Sequence, residues 1–196
     1  MTKGRLEAFS DGVIAILITI MVLELKVPHE AGWAALRELL PTLSAYALSF
    51  VLVAIYWNNH HHMLQVTTRI NGRILWANNH LLFWLSLIPF CTAWHGEHLG
   101  TTPPTAVYAG VLFMSGIAYT ILQNAIIRDQ GEGSALAAAV GGDVKGLVSA
   151  ICYAAAIAGA FIRPWISDVL FVVVAALWFV PDRRVESRVA GTGSSE

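Results

Sequence analysis

Six runs of mostly apolar residues, at about 9–25, 43–57, 74–94, 105–127, 146–162 and 165–180, constrain this chain more than any other feature. A helix that crosses a bilayer needs roughly 17 to 25 such residues. Hydrocarbon offers no water to the backbone, so its polar groups must be satisfied inside the structure, and apolar runs of this length are read as helices. The second run is short as drawn. Its helix is expected to continue past Trp57 through an Asn/His stretch, into water or a polar vestibule. Composition points the same way. Of 196 residues, 56% are hydrophobic and 13% charged, against about 25% charged in soluble domains, and the mean hydropathy is +0.61. Too little polar surface remains to cover a water-soluble globule, so an all-α membrane protein is expected.

Turn chemistry separates the runs at Pro28, Pro41, Pro103 with Pro104, Gly141 with Gly142, Pro164 and Pro181. Pro89 lies inside the third run and predicts a kink, because it frees a carbonyl that must find another partner. The Ala-rich stretch 134–140 reads as a short interfacial helix, and the small, polar segment 189–196 as a disordered tail. The rest, 1–188, reads as one six-helix domain. Glu7 and Asp11 precede the first apolar run and no small-x-small site follows it, so this segment is expected to stay in the mature chain rather than leave as a signal peptide.

The net charge of −1 hides a sorted distribution. Alternate connections hold Lys3, Arg5, Arg69, Arg73, Arg128, Lys145, Arg183, Arg184 and Arg188, while the opposite ones hold Lys26, Arg37 and Arg163. Basic residues favour the cytoplasmic side, which places both termini there, with the chain a multi-pass protein of the cell membrane. Trp33, Trp57, Trp76, Trp94, Trp165 and Trp178 near the run ends fit interfacial belts. There is no basic face for nucleic acid.

Enzyme motifs are scarce: no Gly-rich phosphate loop, no HExxH and no nucleophile elbow occurs, and no catalytic role is expected. Cys91 and Cys152 sit inside apolar runs without metal or disulfide spacing and read as small buried hydrophobes. His60, His61 and His62 are consecutive, so on a helix they point about 100° apart and cannot all grip one metal. With Asn58 and Asn59 they form a polar collar, and no metal site is expected. His95, Glu97 and His98 read as a solvated outer loop. A short echo, W-N-N-H at 57–60 and W-A-N-N-H at 76–80, is too brief to double the fold.

The first run is the informative one. On a helical wheel Gly12, Ile16, Thr19, Ile20 and Leu23 share one stripe of branched aliphatics interrupted by a hydroxyl. Beside it, Ser10 and Asp11 need partners, since an ionisable group near hydrocarbon is costly and normally faces a bundle interior or a water-filled cavity. Arg5, His60, His61, Asn78 and Asn79 lie at the same membrane level and are the candidate donors. A polar cluster at the base of one helix would aim that helix's stripe inward.

These residues resemble a family. R-x-x-x-F-S-D at 5–11, running into G-V-x-A-I-x-x-T at 12–19, is similar to the signature of the transmembrane protein 175 potassium channels, which include single-repeat bacterial members. Y-W-N-N-H-H at 56–61 and N-x-x-L-L-F-W-L-S-L-I-P-F at 79–90 support the resemblance, which spans most of the chain. It implies a homotetramer of six-span subunits in the lipid bilayer, with the first span of each lining a central pore for K+, no cofactor, and no TVGYG carbonyl filter. It further implies that Ile16, Ile20 and Leu23 form the constriction rings and that Thr19 contacts hydrated potassium. Ser10 and Asp11 of the motif, with Arg5 and Phe9, would tie the pore helix to Trp57, to His60 or His61, and to Asn78 or Asn79.

Rings of Ile and Leu at a narrow point would exclude water and ions by dewetting, a hydrophobic gate. Slight widening would let potassium pass at lower dehydration cost than sodium, giving modest selectivity. The rival reading is a proton-coupled secondary transporter that uses Asp11 and the His60–His62 cluster as a relay. A second rival, a membrane enzyme built on the His run, suffers from poor ligand geometry.

Overall fold

The computed structural model describes residues 2–141 and 143–179. They form eight helices: α1 (Lys3–Leu23), α2 (Trp33–Gln65), α3 (Gly72–Ser86), α4 (Ile88–Glu97), α5 (Thr102–Gln130), α6 (Ala135–Val140), α7 (Val144–Ile162) and α8 (Pro164–Phe179). No strand occurs among the described residues. Helix α5 is the spine, packed by α3, α4, α7 and α8, while α1 lies against α2, α3 and α4. The core is correspondingly centred on Leu81, Leu85, Ile88, Tyr108, Leu112 and Leu122, all fully buried.

Length and apolarity suffice for a membrane crossing in α1, α2, the α3–α4 pair taken together over Gly72–Glu97, α5 and α7; α8, with 16 residues, is apolar but shorter. Helix α2 continues past Trp57 through the Asn/His stretch to Gln65, making a helix of 33 residues. Stretch 134–140 does form a short helix, capped where Ser134 Oγ accepts a hydrogen bond from the Ala137 N–H at 3.3 Å. Gly142, Pro181, Arg183, Arg184, Arg188, the end of the sixth run at Val180 and the tail 189–196 lie outside the described residues.

The prolines behave according to position. Pro103 and Pro104 occupy the first turn of α5, where a missing N–H costs nothing. Between α3 and α4 the helix is interrupted at Leu87, two residues before Pro89. Pro41, expected as a break, instead sits within α2. The carbonyl it frees belongs to Arg37 in the exposed first turns of that helix, where water can replace the lost bond, so the helix runs through. The expected solvated loop at 95–98 is also corrected. Helix α4 extends to Glu97, and this turns His95 inward, leaving it only 3% exposed.

Polar contacts establish which connections share an end of the bundle. At one end the Lys3 ammonium donates to the Gln65 carbonyl at 2.7 Å, Arg69 pairs with Asp129 at 2.9 Å, and Lys145 lies 5.7 Å from the Trp178 ring centroid. At the other end Lys26 pairs with Glu97. The carboxylate's hydrogen bond and charge raise the Lys26 pKa above its ordinary value, but both groups face solvent and screening leaves the pair little weight in stability.

The α2–α4 crossing depends on a close backbone approach. A Cβ built on Gly96 would lie 3.0 Å from Thr42 Cα and 3.2 Å from Ala45 Cβ, whereas one on Gly110 meets nothing within 4 Å. Gly96→Ala should therefore destabilise the protein by about 1–3 kcal/mol through overpacking. Gly110→Ala should be neutral or slightly stabilising, since alanine is the better helix former by about 1 kcal/mol. Thermal unfolding of the two detergent-solubilised variants checks this; equal midpoints would contradict the close crossing.

Candidate functional site

Helix α1 has two faces of opposite character. Leu6, Ser10, Ile14, Leu17 and Met21 recur at helical spacing and are buried against the neighbouring helices. The other face carries Gly12, Ile16, Thr19, Ile20 and Leu23, all exposed, with Ile16 57%, Ile20 39% and Leu23 80% accessible. Ile18 is only partly buried and packs on the core, and Ile14 is enclosed within it. A Cβ added to Gly12 would touch no other atom within 4 Å. The Thr19 hydroxyl donates to the Ile16 carbonyl at 2.9 Å, which holds its oxygen at the helix surface.

Exposure by itself does not separate a pore-facing stripe from a lipid-facing one. Helices α7 and α8 also expose Ile151, Phe161, Val169 and Val172, as any outer membrane helix must. What distinguishes α1 is the polar chain that sets its rotation. Ser10 is fully buried, and its Oγ accepts a hydrogen bond from the Asn78 amide nitrogen of α3 at 3.0 Å. The Asn78 amide oxygen then faces His60 Nε2 of α2 at 2.7 Å. Because that oxygen can only accept, Nε2 carries the proton, and His60 Nδ1 is left as a buried acceptor without a partner. One serine, one amide and one imidazole thus bind three helices at a single level.

Asp11, the neighbouring residue, is served separately. Its Oδ1 accepts the Trp57 indole N–H of α2 at 2.9 Å. The Trp57 ring stacks on His61 with centroids 5.8 Å apart and planes at 23°, and His61 meets His62 edge-on at 5.6 Å. Asp11 therefore bonds to none of Arg5, His60, His61, Asn78 or Asn79 within the chain; its donor is the tryptophan. Arg5, Phe9 and Asn79 are exposed and stand outside this set of bonds. No group of three or more His, Cys, Asp or Glu side chains that could hold a metal ion occurs among the described residues.

The sequence reading passed over one polar cluster. Asp168 interrupts the apolar run 165–180, and its Oδ1 lies 3.0 Å from His95 Nε2. A carboxylate in such a run was the available signal.

The chain has clear relatives. Residues 5–89 match the family model described as endosomal/lysosomal potassium channel TMEM175. A potassium channel of Chryseobacterium sp. (strain P1-3) is 54% identical over 186 residues, which is 95% of this chain and 97% of that one. A potassium channel of Streptomyces collinus is 35% identical over 128 residues, covering 61% of this chain and 62% of that relative. The crystal structure of a lysosomal potassium-selective channel TMEM175 homolog from Chamaesiphon minutus superposes with a TM-score of 0.79 at 31% identity, covering 91% of this chain and 96% of that chain.

Removing Asn78 strands two buried groups at once, Ser10 Oγ and His60 Nε2. Each orphaned polar group costs about 1–3 kcal/mol, so Asn78→Ala should lower the thermal midpoint well below that of Trp57→Phe, whose lost bond lies at a more exposed position. Calorimetry or fluorescence-monitored unfolding in detergent compares them. Matching midpoints would mean that the Ser10–Asn78–His60 chain does not hold α1.

Proposed function

Because the chain belongs to the family of the endosomal/lysosomal potassium channel TMEM175, whose members are channels rather than enzymes, we propose that it conducts potassium passively through a pore lined by α1. The observation that carries this reading is the division of α1 into a face pinned by Ser10 and a face of Gly12, Ile16, Thr19, Ile20 and Leu23 that one chain leaves uncovered. Four copies around an axis would cover that face and form a closed cyclic ring. Residues 1–188 then act as one six-span domain, with α8 as the short sixth span and both termini in the cytoplasm of a cell-membrane protein.

From Ile16 to Leu23 the rise of about 1.5 Å per residue gives roughly 10 Å of pore axis. Apolar rings over that length empty of water when narrow and admit a partly dehydrated ion when slightly wider. Potassium loses its hydration shell more easily than sodium, and the Thr19 hydroxyls offer partial compensation, so discrimination is real but modest. The cluster of Ser10, Asp11, Trp57, His60 and Asn78 sets the rotation of α1 and hence the aim of the rings. Arg5, Phe9, His61 and Asn79 have surfaces open to a neighbouring subunit at the same level. A proton-coupled carrier would need its carboxylate near the middle of the span. Asp11 is instead the third residue of the apolar run 9–25, at its polar edge, and its Oδ1 accepts the Trp57 indole N–H of α2.

Flux into proteoliposomes tests the reading. Potassium should equilibrate down its gradient without an imposed pH difference; uptake that requires a proton gradient would favour the carrier. Ile16→Asn should raise conductance and lower the preference for potassium over sodium, because four amides replace a dry ring. Thr19→Val should impair selectivity or conduction without a leak, and Ile18→Asn should not produce wide, unselective current. Bi-ionic reversal potentials read all three, and loosened selectivity in Ile18→Asn with intact Ile16→Asn would overturn the stripe assignment. Asp11→Asn should weaken the tetramer on size exclusion more than it alters selectivity.

A further inference from the structure

Helices α3 and α5 run side by side at the end of the bundle that holds Lys3, Arg69 and Asp129, and leave an open groove of about 490 Å³ between them. Trp76, Ala77 and His80 of α3 form one wall, Ile121 and Ala125 of α5 the other. Trp76 is about 200° around α3 from Asn78. Since Asn78 bonds to Ser10, the groove opens away from α1.

The positive charges at this groove have nothing to pair with. Arg73 lines it, and Arg128 continues the stripe of Ile121 and Ala125 along α5. Both arginines are exposed, and neither has a hydrogen-bond or ion-pair partner among the described residues. The nearby carboxylate of Asp129 is already engaged: Arg69 Nε donates to its Oδ2 at 2.9 Å and Asn71 Nδ2 to its Oδ1 at 2.7 Å. Deeper along the groove the Trp84 indole N–H donates to His80 Nε2 at 2.9 Å, so the His80 hydrogen sits on Nδ1. That N–H is accessible and has no acceptor among the described residues. From its mouth inward the groove therefore offers two guanidinium groups, a 76%-exposed indole, and then an apolar wall with one free donor. Phosphate, glycerol esters and acyl chain follow one another in the same order in a phospholipid.

We propose that the α3–α5 groove binds one anionic phospholipid per chain, its phosphate between Arg73 and Arg128 and an acyl chain along Trp76, Ala77 and Ile121. Basic pockets between membrane helices suit such headgroups. A choline lipid fits less well, because its ammonium would join two cations that already lack a counter-charge. Free phosphate would use the arginines and none of the apolar wall. The inference requires that α3 and α5 cross a bilayer; it does not depend on what the pore conducts.

Native mass spectrometry of the full chain, released from detergent in its assembled state, reads bound lipid and oligomeric mass together. Phosphatidylglycerol should bind at one per chain and about tenfold more tightly than phosphatidylcholine. Arg73→Gln combined with Arg128→Gln should lower that affinity about tenfold and leave phosphatidylcholine unchanged. Ile121→Trp, at an exposed position, fills the groove and should weaken phosphatidylglycerol binding although both arginines remain. Equal binding of the two lipids, or phosphatidylglycerol binding untouched by these substitutions, overturns the proposal. Inorganic phosphate bound as tightly as the lipid and unaffected by Ile121→Trp would mark a phosphate site instead. A change in oligomeric mass with lipid binding retained would mark a contact with a second copy, and either result overturns the proposal. Thermal unfolding in detergent gives a second reading: phosphatidylglycerol should raise the midpoint of the unaltered chain more than phosphatidylcholine does. That difference should vanish in the double arginine variant, and its persistence there would equally overturn the proposal.

Discussion

Hydrocarbon cannot press one apolar helix onto another, because lipid tails are as apolar as leucine; packing and hydrogen bonds between helices must choose which face turns inward. In this chain the choice for α1 rests on a short polar relay. Asn78 reaches Ser10 with its amide nitrogen and His60 with its amide oxygen, so a single side chain fixes the mutual rotation of α1, α2 and α3. Everything proposed about conduction depends on that rotation, since a turn of α1 by one residue would exchange Ile16 for Leu17 at the open face. The cost of burying these polar groups is offset by their bonds to one another.

The two polar clusters have different chemistry. The relay at Ser10 works with neutral partners, and its histidine needs only the proton on Nε2. At the other end His95 stacks on Tyr108, with Thr105 Oγ1 3.2 Å from its Nδ1 and Asp168 Oδ1 3.0 Å from its Nε2. The first sets the rotation of α1; the second joins α4 to α5 and α8.

Departures from the sequence reading have local causes. Pro41 reads as a stop because proline removes a helix bond, yet the carbonyl it frees lies where water reaches it and α2 continues. His95 reads as a loop residue because Gly96, Glu97 and His98 surround it. Gly96 in fact allows α4 to approach α2 at Thr42, which carries His95 into the interior. Asp11 has several plausible donors at its level, and sequence spacing alone ranks none of them. The indole of Trp57 reaches it through the particular rotation of α2.

The sequence by itself determined the helical class, the approximate apolar runs and the stripe on α1, because hydropathy and the 3.6-residue period are properties of consecutive residues. The resemblance to the family was legible in R-x-x-x-F-S-D at 5–11 because those residues are contiguous. Only the tertiary structure decided which of Asn78 and Asn79 faces Ser10, which of the three histidines joins the relay, and that His95 meets Asp168 across seventy-three positions. Those pairings depend on the rotation and tilt of helices far apart in the chain. Neither quantity is encoded by local periodicity; both emerge when side chains on several helices must satisfy one another in the absence of water.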